Sequence, residues 1–292
     1  MQTVGVIGLG QIGGGVAASV AASGLPVAGY DVAPQAQQGA RAAGVTVAAS
    51  AREVFATCDI TIISLPSFDA IHATYDAQRQ SAQRPGAIVA EASTVSPDMA
   101  RELGAITRAT GREHVEMSVI GTGRDAAQAQ LYFLLGGAED AVRALAPVLA
   151  AAGRGHRHMG PLGTASAAKV LNNGIGLATI LAMGEAIAAA EQAGIKPDAF
   201  VKAVIEGNGA GASVVFSRHA HKALTTEPEP PTPLNYKDSI ALGELIAPSI
   251  EAYPILGSAS TRVGALIGDG KHGLTWTTAH TARENAGSSQ KD

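Results

Sequence analysis

The chain has 292 residues, 46% of them hydrophobic and 16% charged, with a net charge of -4, which is enough apolar side chain for two ordinary cores. That balance provides no basic surface for nucleic acid or an anionic membrane. The single cysteine, Cys58, excludes an intrachain disulfide and suits a reducing cytoplasm, where a lone thiol is ordinarily a small buried hydrophobe.

No signal peptide is expected, because the apolar start lacks a basic region ahead of it. The longest apolar stretch, 175–190, is interrupted by Gly184 and Glu185 and falls short of the roughly 20 residues of a membrane span. The first half alternates strand and helix. Residues 4–7 read as a buried strand, 14–23 as a helix and 26–30 as a second strand. A helix closes at 41–44, a short strand follows at 45–48, and Ser50 caps a helical turn at 50–56. Further strands are expected at 60–65, 88–90, 115–119 and 131–135, the last running into Gly136 and Gly137. Such alternation predicts a parallel sheet with helices on both faces. After about residue 160 the composition turns Ala- and Leu-rich. One long helix is expected over 164–193, stopped by Gly194, with more helices at 198–206, 213–224, 237–245 and 254–267. The four prolines within 227–233 mark an extended connector, and the polar tail 286–292 is expected to fray. The expected architecture is therefore an α/β Rossmann domain over 1–161, then an all-α C-terminal domain over 162–292, joined by a long interdomain helix.

Two constellations carry chemistry. The first is Gly8-Leu9-Gly10-Gln11-Ile12-Gly13, between the first strand and the first helix. Gly8 permits a tight turn, Gly10 lets backbone approach a pyrophosphate, and Gly13 lets helix and strand pack closely. The helix start offers unpaired N–H groups and a partial positive charge to the phosphates. Asp31 ends the second strand, in the place of the acid that holds a ribose 2′-hydroxyl roughly 20 residues on. It would repel a 2′-phosphate, and Val32 follows where an NADP reader often has Arg, so NAD is preferred over NADP. The second is GPLGTASAAKVLNN, 160–173, where Lys169, Asn172 and Asn173 share one face of an otherwise apolar helix. Such groups need partners when buried, and a cleft facing a cofactor and a polar substrate supplies them. His156 and His158 lie two apart in a Gly/Arg-rich segment read as a loop, with no carboxylate cluster to make a metal site.

These residues resemble the β-hydroxyacid dehydrogenases, a family that includes 3-hydroxyisobutyrate dehydrogenase and tartronate semialdehyde reductase. The resemblance covers nearly the whole chain. GLGQIGG is similar to the family's cofactor signature, Leu65-Pro66 to the strand-end pair that touches the cofactor, and Ser93-Thr94 to its D-x-S-T segment near nicotinamide and substrate. GTASAAKVLNN resembles the catalytic helix, and Lys237-Asp238 resembles the K-D motif that closes over the cofactor. The resemblance implies that Lys169 is the general acid/base and that Asn173, Ser93 and Thr94 hold the substrate. It also implies hydride exchange between NAD(P) and a small hydroxy acid or its carbonyl form, and a homodimer or homotetramer associating through the helical domain. One signature departs. The family's substrate loop, close to D-A-P-V-S-G-G, reads here Glu116-Met117-Ser118-Val119-Ile120-Gly121-Thr122. Ile120 replaces the serine that binds substrate carboxylate, Thr122 replaces a glycine, and Arg124 and Asp125 replace small residues. Either Thr122 takes over as donor beside Gly121, or the substrate is larger and less polar at that end. A decarboxylating 6-phosphogluconate-type enzyme fits less well, because Gly176 stands where its second catalytic residue is a Glu. The alternatives are an imine or ketone reductase, whose scaffold usually places another residue at the Lys169 position, and a non-catalytic cofactor-binding module.

Overall fold

The computed structural model describes residues 2–207 and 233–268. The expected helix at 213–224, the proline-rich connector up to its last residue and the tail at 286–292 lie outside them. The chain divides into two compact units, Met1–Val170 and Leu171–Asp292.

The first unit is an eight-stranded sheet in the order β3-β2-β1-β4-β5-β6-β7-β8. Its strands are β1 (Val4–Ile7), β2 (Val27–Tyr30), β3 (Thr46–Val47), β4 (Ile60–Ile63), β5 (Ile88–Glu91), β6 (Glu113–Ile120), β7 (Leu131–Gly136) and β8 (Gly153–Gly160). The helices are α1 (Gln11–Ala22), α2 (Pro34–Ala42), α3 (Ala51–Thr57), α4 (Phe68–Arg79), α5 (Pro97–Ala109), α6 (Gly123–Ala127), α7 (Glu139–Ala144) and α8 (Ala146–Ala152). The central strands are buried and mostly apolar because both sheet faces are covered. Side chains alternate between faces with period two. Val4, Val6, Ile60 and Ile62 enter one core with Val16, Val20 and Leu149, while Ile7 and Ile63 enter another with Val54, Phe55, Ile71 and Leu103. Each such fully buried side chain contributes about 1.5–3 kcal/mol.

The sheet departs from the all-parallel expectation at one place, where β7 runs antiparallel to β6. A second correction concerns 153–160. This segment is strand β8, parallel to β7, and His156 and His158 lie on it rather than in a loop. It is an edge strand held by backbone pairing, largely exposed, and so lacks the apolar alternation that marks a half-buried strand. Helices α4 and α5 were not anticipated, although each opens on a capping serine: Ser67 accepts from the Ala70 N–H and Ser96 from the Met99 N–H. The expected Ser50 cap is present, accepting from the Glu53 N–H.

Among the described residues Ala129, in the turn before β7, is the one non-glycine with positive φ, at 54°. A Cβ costs roughly 1–2 kcal/mol in that region, partly offset by the unfolded-state entropy of glycine. Ala129→Gly is therefore expected to stabilise the chain by about 0.5–1 kcal/mol, read as a higher urea midpoint.

Helix α9 (Thr164–Gln192) spans the division between the units and ends before Gly194, whose φ is +80°. By length and hydropathy alone it would pass for a membrane span. In the second unit, however, Met183 and Ile187 pack with Val201 of α10 (Pro197–Glu206). Two further helices follow, α11 (Pro233–Ile246) and α12 (Pro254–Gly268), separated by a 3-10 turn at Ala247–Ala252. Gly174 of α9 lies against Leu242 and Leu256, and the Ser260 hydroxyl donates to the Ser239 carbonyl at 3.1 Å. Residues 164–193, 198–206 and 254–267 are thus helical as expected within a residue at each boundary, and 237–245 is helical as expected but begins four residues earlier, at Pro233.

Candidate dinucleotide and substrate site

The glycine turn follows β1. Gly8 has φ +89°, and a Cβ there would lie 2.1 Å from the Ser64 carbonyl oxygen. A Cβ on Gly13 would lie 2.0 Å from the Gly8 carbonyl oxygen. Gly10 differs from both, since a Cβ at its position meets no atom within 4 Å. The first two glycines are therefore required by the protein's own packing, while Gly10 leaves open space in front of the turn. Helix α1 begins at Gln11 and Ile12 with no side-chain cap and no acid in its first turn, so its N–H groups remain to meet an anion. Asp31 stands beside this turn. Its carboxylate accepts the Leu9 N–H at 2.6 Å and the Ala33 N–H at 2.8 Å. Val32 beside it is 83% exposed. A donor-rich helix start, a cradle that a side chain would fill and an adjacent carboxylate suit a dinucleotide.

The next strand ends are cross-linked. The Ser93 hydroxyl, just past β5, accepts the Leu65 N–H at 2.8 Å, which ties Leu65 and Pro66 after β4 to Ser93 and the half-buried Thr94. Ser93 is itself held by Glu91, whose carboxylate accepts the Ser93 N–H at 2.8 Å and the Tyr75 O–H at 3.1 Å. Burial, reinforced by Glu91, pushes the Tyr75 hydroxyl well above its ordinary pKa, so Tyr75 remains a donor.

At the end of β6, Ile120 is half-buried, and Gly121 and Thr122 are exposed. Thr122 caps α6: its hydroxyl accepts the Asp125 N–H at 3.3 Å and donates to the Asp125 carboxylate at 2.7 Å, which also takes the Thr122 N–H. The loop docks on the glycine turn, where a Cβ on Gly123 would lie 2.6 Å from the Gln11 side-chain oxygen. The substitutions in this loop thus build a capped helical turn against α1, with Ala126 pressed on Gly15. Earlier on β6, His114 is buried and pushed down to about 3, first by desolvation and then by Arg108, so it is neutral. Its Nδ1 lies 3.3 Å from the Thr107 hydroxyl.

Lys169 sits half-buried in the second turn of α9, between buried Ser166 and Val170. The start of this helix is held by Glu116 of β6, whose carboxylate accepts the Gly163 N–H at 2.7 Å and the Ser166 N–H at 2.8 Å. In the second unit, the Asn173 amide donates to Asp238 at 2.7 Å, and the Lys237 ammonium reaches the same carboxylate at 3.2 Å. Asn173 and Lys237 are thus joined through Asp238, while Asn172 is exposed. The glycine turn, Asp31, Leu65-Pro66, Ser93-Thr94 and Gly121-Thr122 all follow the carboxyl ends of β1, β2, β4, β5 and β6 in the first unit. Sequence reasoning missed Glu91 and Glu116 as organising residues. Their signal was present, because an acid in an apolar strand must find partners. Among the described residues, no group of three or more His, Cys, Asp or Glu comes together as metal ligands.

Comparison with known proteins agrees with this geometry. Residues 3–160 match the model of the NAD binding domain of 6-phosphogluconate dehydrogenase. Residues 163–242 match the NAD-binding model of NADP-dependent 3-hydroxyisobutyrate dehydrogenase. A probable 3-hydroxyisobutyrate dehydrogenase of Mycobacterium tuberculosis is 34% identical over 209 residues, 72% of this chain and 71% of that protein. The solved structure of a Mycobacterium tuberculosis 3-hydroxyisobutyrate dehydrogenase with L-serine is 28% identical, covers 97% of this chain and 99% of its own, and superposes with a TM-score of 0.77. That of the Salmonella typhimurium 3-hydroxyisobutyrate dehydrogenase is 27% identical, covers 93% and 96%, and gives 0.81. This chain therefore belongs to the β-hydroxyacid dehydrogenase family, oxidoreductases that exchange hydride between a nicotinamide dinucleotide and the CH–OH group of a hydroxy acid.

Proposed function

We propose that the substrate is a small 3-hydroxy acid or a related β-hydroxy compound, with Lys169 as the general acid/base. The observation that carries this reading is the half-buried Lys169 in the second turn of α9, in the same compact unit as the glycine turn. When bound, the nicotinamide ring supplies the hydride acceptor. In the oxidising direction Lys169, as a neutral amine, takes the substrate hydroxyl proton while the C–H bond breaks and the carbonyl forms. In reduction its ammonium returns that proton. An amine works this way near neutral pH when desolvation or a neighbouring cation lowers its pKa. The Ser93 hydroxyl accepts from Leu65 and keeps its hydrogen to donate, and Thr94 offers a second short donor. Asn173 has one amide hydrogen beyond the one given to Asp238. In the first unit Ser93 and Thr94 take the acid end of the substrate together with the Gly121 backbone, because Ile120 has no donor and the Thr122 hydroxyl is engaged by Asp125.

The roles divide at residue 161, with 1–161 holding the dinucleotide and 162–292 forming the helical domain that carries Lys169, Asn173 and Lys237. The two family matches, 3–160 and 163–242, support that boundary. A screen of 3-hydroxy acids, β-hydroxy amino acids and semialdehydes, followed by nicotinamide absorbance, tests the substrate class. Turnover of at least one class is expected, and turnover of cyclic imines alone would refute the reading. L-serine in the related mycobacterial structure makes β-hydroxy amino acids a natural arm.

The cofactor is NAD rather than NADP, on the strength of the Asp31 carboxylate beside the turn. Asp31→Ala is expected to weaken NAD about tenfold and to narrow its advantage over NADP. An unchanged ratio of the two dissociation constants would overturn the assignment. The chain is a homodimer or homotetramer, since α9 exposes Leu171 (39%) and Ile175 (63%), and Ile255 of α12 is 73% exposed. Gel filtration should give a dimer or larger, and a monomer would contradict this. A cytoplasmic setting accords with the single buried thiol of Cys58.

A further inference from the structure

We propose that Glu116 is a positioning residue for the reaction, its carboxylate anchoring the start of α9 to the sheet and so fixing where Lys169 stands. This rests on the reading of Lys169 as the proton-transfer residue. Glu116 is 1% exposed, and its two oxygens are divided between two N–H groups of the helix start, Oε2 to Gly163 and Oε1 to Ser166. Two bonds to donors three residues apart fix both the rotation of a helix about its axis and its position along it. Lys169 follows Ser166 by three residues, or about 4.5 Å of rise, so a shift at the anchor passes to it nearly undiminished.

The strand beside Glu116 accommodates this reach. Gly136 of β7 is its register partner, and a Cβ there would lie 2.1 Å from Glu116 Oε2 and 3.3 Å from the Ala165 Cβ. The carboxylate therefore reaches the helix through space that only glycine leaves. Elsewhere in the same unit, α3, α4 and α5 begin with a local serine cap, Ser50, Ser67 and Ser96. A local serine stabilises a helix start without burying a charge. It ties the helix only to the residue before it, however. The α9 anchor instead comes from a strand 47 and 50 residues earlier, next to the segment that becomes the substrate loop. A buried carboxylate is costly to desolvate, and the partial positive charge of a helix N-terminus offsets that cost. Stability alone would be served by the cheaper cap used three times nearby, so the distinctive result of this arrangement is a helix locked in register with the sheet.

The test uses the full-length enzyme at a temperature well below its unfolding midpoint. Glu116→Gln keeps the shape but turns an NH2 toward one of the two N–H groups, displacing the helix start. The expected result is a fall in kcat of roughly 10–100-fold, the scale of a misplacement of about 1 Å, with a smaller change in KM and an NADH dissociation constant within twofold of the parent. Glu116→Asp, which keeps the charge and shortens the reach, should give an intermediate loss, and it carries the test if the glutamine variant does not fold. Ser50→Ala removes a cap distant from the site and should lower the unfolding midpoint while leaving kcat unchanged, which separates positioning from stability. The deciding arm is the double variant. If Glu116 acts through Lys169, Glu116→Gln in a Lys169→Ala background causes no further loss. Parent-like kcat in the folded Glu116 variants, or equal fold losses in both backgrounds, would overturn the proposal. Undiminished turnover in Lys169→Ala alone would instead sink the proton-transfer reading, a result visible without any Glu116 variant.

Discussion

Lys169→Ala is expected to bind NADH as the parent does and to turn over a hydroxy acid about 10²–10⁴-fold more slowly. That is the range lost when a positioned general acid or base is removed. The separation of the two effects follows from the structure. The glycine turn, the uncapped start of α1 and the Asp31 carboxylate that form the dinucleotide cradle do not include Lys169, which lies on α9. Equilibrium binding followed by NADH fluorescence and steady-state kinetics on the same preparation would read both quantities. Partial recovery of rate by an added small primary amine would indicate that the missing group is the amine itself. Loss of NADH affinity in parallel with rate would mean instead that Lys169 shapes the cofactor site. An unchanged rate would remove it from the chemistry.

The second large effect is a contrast between two glycines of one motif. Gly13→Ala places a methyl group 2.0 Å from the Gly8 carbonyl oxygen, a backbone atom that cannot rotate away. The α1 helix must then separate from β1, with an expected destabilisation of about 3 kcal/mol and loss of NADH binding. Gly10→Ala places the same methyl group in open space, at a φ of −68° that alanine adopts readily. Its stability should match the parent, yet its NADH affinity should fall by roughly tenfold or more, because the methyl group occupies the approach of the pyrophosphate. Urea unfolding and NADH titration of the two variants would separate the contributions. If Gly10→Ala bound NADH as tightly as the parent, the open space at Gly10 would not be the phosphate cradle.

The cofactor half of the site was legible because its chemistry constrains the backbone. A turn that must approach a pyrophosphate requires glycines at fixed spacing, a strand before them and an acid after them, and Gly8, Gly10, Gly13 and Asp31 supply these. The long helix was legible because a run of nearly 30 residues without proline, closed by Gly194, has few other solutions. What escaped were features whose cause lies in distant parts of the chain. β8 pairs through its backbone while its side chains face solvent, so GRGHRHMG carries no apolar alternation. β7 is reversed because it pairs with the neighbouring β6, a long-range choice of partner that the short connection 121–130 permits only in antiparallel form. Glu91 and Glu116 looked like interruptions in apolar strands, and their meaning emerged only with their partners, the Ser93, Gly163 and Ser166 N–H groups. The substrate was least legible of all. Ile120 and Thr122 depart from the family loop, and the structure shows the Thr122 hydroxyl in a capping box without adding a new donor for a carboxylate.

The most direct measurement is a crystal structure of the enzyme with NADH and a hydroxy acid it turns over. The Lys169 amine should lie within hydrogen-bonding reach of the substrate oxygen, about 3 Å, with the carbinol carbon facing nicotinamide C4. An amine turned to solvent, with another donor at that oxygen, would contradict the assignment of proton transfer to this lysine.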